Sequence, residues 1–136
     1  MAIADPRLQQ TEAPTQETGT LPRVPEQDRS PAALAVERLA PGRYLVLDAG
    51  DDDPVVFPLT GDVMHIGRSP AAHIVLDDAS VSRRHAVLTR RGEETVILDD
   101  RSLNGVYVNG ERVSEAALSD QDVVACGRVR LRYIAR

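Results

Sequence analysis

From residue 43 onward, apolar and polar positions change over in short runs of period two, the signature of half-buried β-strands. In residues 43–48, Tyr44 and Val46 alternate against Leu45 and Leu47. Strand-like runs follow at 55–59, 63–67, 74–76, 86–89, 95–98, 106–108, 123–125 and 129–134, rich in Val, Ile, Leu and Tyr. Gly92 permits a hairpin across 90–94, and Asn109-Gly110 is a strong two-residue turn signal. Many short, evenly spaced strands with almost no helix predict an all-β sandwich. No internal repeat interrupts the pattern.

The first forty residues are written differently. Residues 1–29 are rich in Gln, Thr, Glu and Pro and carry few large apolar side chains. Such a segment cannot bury enough surface to offset its ordering entropy, so a disordered tail is predicted. Ser30 can cap a helix, Pro31 suits its first position, and Ala32 to Leu39 is helix-forming material. The pattern therefore predicts a short helix within 30–39, marginal in water unless docked. Pro41-Gly42 ends it and opens a single domain over 41–136, leaving 1–40 as the tail.

Composition narrows the function. The formal net charge is -5, all sixteen basic residues are arginine, and the signs are mixed along the chain, which argues against a nucleic-acid surface. Cys126 stands alone in an apolar run and reads as a buried structural thiol. No run is long enough for a membrane span and no leader pattern is visible, so a cytoplasmic protein is expected. The run Asp51-Asp52-Asp53 has no spaced oxygen ligands behind it and reads as a solvated loop, so neither metal nor cofactor is expected.

The chemistry lies between His65 and Asn109, where five short pieces stand at the ends of strand-like runs: 66–69, 82–85, 99–100, 102–105 and 109–110. Arg68 follows Gly67 and offers a planar fork suited to phosphate or carboxylate. Ser82 adds a hydroxyl, and Asn104 an amide able to read a peptide backbone. Together they describe an oxyanion pocket with a backbone reader beside it. His65, His73 and His85 lack metal-ligand spacing and none is paired with a nucleophile, so the set is expected to recognise and not to catalyse.

Gly-Arg-Ser at 67–69, Ser-Arg-Arg-His at 82–85 and Ser-Leu-Asn-Gly-Val-Tyr-Val-Asn-Gly at 102–110, in this order, closely resemble the forkhead-associated (FHA) domain, a phosphothreonine-peptide binding module. The resemblance implies two packed sheets of about eleven strands. It also implies that Arg68 grips the phosphate, that Ser82 donates to it with Arg83 adding a second contact, and that Asn104 bonds the peptide backbone. Gly67, His85, Gly105 and Asn109 match the residues that support the binding loops. Leu103 stands where the family often has a polar side chain near the phosphate, and Val106 replaces the commoner threonine. The whole layout resembles small actinobacterial FHA regulators of the GarA and OdhI type, in which a tail threonine is phosphorylated by a Ser/Thr kinase and bound by the chain's own domain.

The tail offers Thr11, Thr15, Thr18 and Thr20. Thr18 is favoured over Thr20 and Thr15, because Glu17 precedes it and Leu21 stands three residues on. The intervening Gly19 departs from the adjacent threonines of the family. Measured to Arg43, the roughly two dozen residues of tether could extend to about 80 Å. The expected partners are thus a phosphothreonine protein or the phosphorylated tail, and a Ser/Thr kinase, with no nucleic acid or membrane. The alternative is a phospho-independent interaction module or an inhibitor of a metabolic enzyme.

Overall fold

The computed structural model describes residues 30–48 and 53–136, which form two packed sheets and one short helix. The expectations placed on residues 1–29, including the four threonines, and on Asp51 and Asp52 lie outside the described residues. Helix α1 (Pro31–Glu37) begins as its sequence dictates: Ser30 Oγ accepts from the Ala33 amide at 3.1 Å and Pro31 takes the first turn. It stops short of 39. The Arg38 and Leu39 amides tighten onto the carbonyls of Ala35 and Val36, and Pro41 disfavours a helical conformation at Ala40.

Among the described residues, eleven strands follow. The six-stranded sheet runs β2 (Val55–Pro58), β1 (Arg43–Leu47), β11 (Val129–Ala135), β10 (Val123–Cys126), β7 (Val106–Val108) and β8 (Glu111–Val113). The five-stranded sheet runs β4 (Ile74–Val75), β3 (Val63–Gly67), β5 (Ala86–Arg91), β6 (Glu94–Asp99) and β9 (Glu115–Leu118). All neighbours are antiparallel except β3 and β4. The core lies between the sheets, with Leu45, Val106, Val124, Leu131 and Tyr133 facing Met64, Ile66, Leu88 and Ile97.

Two strands were not read from the apolar pattern. β8 and β9 are built from Glu, Arg, Ala and single apolar residues, which have low strand preference. Pairing makes them: β8 folds back on β7 across Asn109 (φ 52°) and Gly110 (φ 86°), and β9 lies along β6. Positive φ at both central residues is what a type I′ hairpin turn requires.

β1 also departs from strict alternation, since Leu45 and Val46 are both buried. Val46 pairs with Arg132 on the outward face, where Ile134 is buried too. Helix α1 stands across a cleft from this face. Ala32, Ala33 and Val36 line one cleft of about 1150 Å³ with Val46, Arg130 and Arg132, and the Arg136 guanidinium donates to the Val36 carbonyl. That bond ties the short helix to the residue that follows β11, and a two-turn helix depends on such ties.

Cys126 is fully buried, and burial, reinforced by the charge of Asp99, pushes its thiol from 9.0 up to about 12. The folded chain therefore keeps a proton that the unfolded chain releases near pH 9. The stability this contributes is complete below pH 9 and is lost as pH rises toward 12, at about 1.4 kcal/mol per pH unit. We expect native Cys126 to resist thiol reagents at pH 8 and Cys126→Ala to flatten the fall in urea-unfolding free energy between pH 9 and 11. An unaltered slope would contradict the burial argument.

Candidate functional site

The strand order sends the ends of β3, β6 and β10 and the starts of β5, β7 and β11 to one rim of the sandwich. Four connections meet there: 68–73, 76–85, 100–105 and the turn at Gly127-Arg128. Function on loops held by a rigid scaffold is the usual division of labour.

Gly67 is where β3 passes the Ser82-Arg83 segment. A Cβ there would stand 2.1 Å from the Arg83 carbonyl oxygen, so no side chain fits. The close approach lets the Arg68 amide donate to the Ser82 carbonyl at 3.0 Å and the Ser69 amide to the Arg83 carbonyl at 3.2 Å. Arg68 is exposed, and its Nε donates to the Val81 carbonyl at 3.0 Å. Among the described residues neither terminal guanidinium nitrogen has a partner. Ser82 Oγ accepts from the Leu103 amide at 3.0 Å and keeps its own proton to donate. Pocket chemistry and spacing suit an oxyanion with several acceptor oxygens.

His85 ties these loops together from beneath. It is fully buried; Nδ1 accepts from the Ser82 amide at 3.0 Å, and Nε2 lies 2.7 Å from the Gly105 carbonyl. With Nδ1 accepting, Nε2 carries the proton and donates, so the ring is neutral and braces two loops at once. Gly105 (φ 87°) turns the chain, and a Cβ would meet the Arg112 guanidinium at 2.7 Å. Ser102 closes the same turn, accepting from the Gly105 amide while its own amide donates to Asp99.

Asn104 is exposed, its Nδ2 donating to the Ser80 carbonyl at 2.8 Å. Arg83 is exposed, and Leu103 at 85% is the most exposed large apolar side chain among the described residues. Arg84 pairs with Asp100 at 3.3 Å across solvent. Asn109 is not brought to this rim. It lies at the other end of β7, where Oδ1 accepts from the Val123 amide and Nδ2 donates to Asp122. These bonds tie the end of β7 to the start of β10, and both strands run from there to the rim. His65 and His73 stack on each other, ring centroids 5.6 Å apart, joined by the His65 amide donating to His73 Nδ1.

Two residues at the rim escaped the sequence. Neither entered the sequence reading: the Ser80 amide and hydroxyl both donate to Asp78 Oδ1, at 2.8 and 2.7 Å. Those bonds, with Arg128 nearby, hold the Asp78 carboxyl below its ordinary 3.8. The signal lay in Asp-Ala-Ser at 78–80, a spacing that favours an Asx turn. Among the described residues no group of three or more His, Cys, Asp or Glu gathers as a metal site, and no helix is long and apolar enough to cross a membrane.

Fold and rim together describe a β-sandwich that gathers Arg68, Ser82 and Asn104 on the loops of one rim. A family model described as "FHA domain" matches residues 64–127. The chain is 39% identical over 110 residues to the "Oxoglutarate dehydrogenase inhibitor" of Corynebacterium jeikeium, a match covering 80% of this chain and 75% of that protein. It is 40% identical over 104 residues to the "Glycogen accumulation regulator GarA" of Mycobacterium tuberculosis, covering 76% of this chain and 64% of that protein. A solved structure described as "Structural and functional analysis of phosphothreonine-dependent FHA domain interactions" superposes with a TM-score of 0.64 at 32% identity, over 69% of this chain and 96% of that one. The chain belongs to the forkhead-associated domain family.

Proposed function

We propose that the protein is a phosphothreonine-dependent adaptor or regulator in Ser/Thr kinase signalling, and a binding module instead of an enzyme. The observation that carries it is the pairing of Arg68 with Ser82: one backbone bond sets them side by side, and each keeps donors that no bond among the described residues uses. Arg68, Ser82 and Arg83 hold the phosphate, Leu103 flanks it, and Asn104 bonds the peptide backbone. Gly67, His85 and Gly105 keep that geometry, with Asn109 acting at a distance.

Self-inhibition by phosphorylated Thr18 fits the layout. Ser30, where α1 begins, lines the same cleft as Asp78 and Arg128, and both of those are bonded to the Ser80 that holds Asn104. The tether therefore runs from Ser30 and not from Arg43. The dozen or so residues from Thr18 can extend about 40 Å, enough to reach the rim. Such a tether supplies an effective concentration near millimolar. Phosphorylating Thr18 in the full chain should weaken binding of an external micromolar phosphopeptide by about 100-fold or more, with Thr18→Ala abolishing the effect. Equal affinity before and after phosphorylation would remove the switch.

The name of the Corynebacterium relative favours a second reading, in which the protein inhibits a metabolic enzyme; in its phosphate-independent form the rim grips that enzyme without phosphate. A partner that binds the chain equally well with and without phosphate on the partner would support it.

A further inference from the structure

Asn104 is exposed at the tip of a loop, and a carboxamide that must read a peptide backbone gains affinity when it is oriented beforehand. The partner that orients it is the Ser80 carbonyl, 24 residues away in sequence. Ser80 is itself fastened on every polar atom. Its amide and hydroxyl donate to Asp78 Oδ1, its Oγ accepts from the Arg128 amide at 2.8 Å, and the Arg128 guanidinium reaches Asp78 Oδ1 at 3.5 Å. Gly127 closes the assembly from the other sheet. At φ 62° it approaches so closely that a Cβ would meet the Ser80 carbonyl oxygen at 2.3 Å and Oγ at 2.5 Å.

We propose that Ser80, clamped between Asp78 and the Gly127-Arg128 turn, is a positioning residue for Asn104 and sets the affinity of the rim for peptide without touching it. The inference rests on the reading of Asn104 as the backbone reader and deepens it. The strut spans both sheets: 76–85 belongs to the connection into β5, and Gly127-Arg128 joins β10 to β11. It fixes one amide proton of Asn104, so Oδ1 and the second proton are presented in a single orientation.

A double-mutant cycle separates positioning from mere structure. Calorimetric affinity of the full chain for one phosphothreonine peptide is measured in wild type, Ser80→Ala, Asn104→Ala and the double variant, with urea midpoints alongside. Ser80→Ala should weaken binding about three- to tenfold, the range of one neutral hydrogen bond. Asn104→Ala should weaken it at least as much, the double variant no more than Asn104→Ala, and Ser80→Thr should restore affinity. Losses that multiply in the double variant, wild-type affinity in Ser80→Ala, or wild-type affinity in Asn104→Ala would each overturn the proposal. Should Ser80→Ala fail to fold, Asp78→Ala removes the same anchor and enters the same cycle. Arg68→Ala distinguishes the failures. If it abolishes binding while Ser80→Ala does not weaken it, only the strut falls; if it binds like wild type, the phosphate reading falls with it.

Discussion

Gly67→Ala is expected to cost about 3 kcal/mol or more of folding stability, at or beyond the top of the usual range for overpacking. The added Cβ would stand 2.1 Å from the Arg83 carbonyl oxygen, 2.8 Å from its carbonyl carbon and 3.1 Å from the Ser82 carbonyl oxygen. All three are backbone atoms, so no rotamer change relieves the clash. The chain can respond only by moving the 82–83 segment off β3, which breaks the bonds from the Arg68 and Ser69 amides. It would also drag Ser82 from beside Arg68, so phosphopeptide binding should disappear along with the stability. Urea unfolding gives the answer directly. A loss under about 1 kcal/mol would mean that the close approach is not a constraint of the folded chain.

Arg68→Ala is expected to leave the fold intact and to weaken phosphothreonine-peptide binding by about 100- to 1,000-fold. Two charge-assisted bonds of about 1.5 to 3 kcal/mol each are lost, partly offset by water that refills the pocket. The side chain is exposed and makes one bond among the described residues, Nε to the carbonyl of the buried Val81, whose loss water can make good at the exposed guanidinium, so stability should move little. Arg68→Lys should recover only a small part of the affinity. An ammonium cannot hold Val81 and present a second pair of donors to phosphate at once. Near-wild-type affinity in Arg68→Ala, measured by calorimetry, would place the phosphate elsewhere.

Much of the architecture was legible because it depends on period-two burial. β3 and β7 fall on the residues that the alternation marked, and the sandwich follows from many such runs. What was not legible depends on partners rather than on local preference. β8 and β9 exist because β7 and β6 offer them open edges. Val46 is buried on the outward face of its strand, at a cleft that α1 also lines, which no local window shows. At the rim, Arg68, Ser82, His85 and Asn104 were visible as motif residues. Ser80 was not, because its importance lies in a carbonyl and in a turn 48 residues later. Asn109 carried the motif and yet stands at the far end of β7, since three strand residues separate the two Asn-Gly pairs.

Phosphate-dependent recognition at one rim is tested most directly by titrating the full chain with a degenerate phosphothreonine peptide library and, in parallel, with the same library unphosphorylated, following backbone amide shifts. The phosphorylated library should bind saturably, with the largest shifts at Arg68, Ser82, Leu103 and Asn104, and the unphosphorylated one should leave them in place. Equal binding by both libraries, or shifts centred away from that rim, would contradict the account.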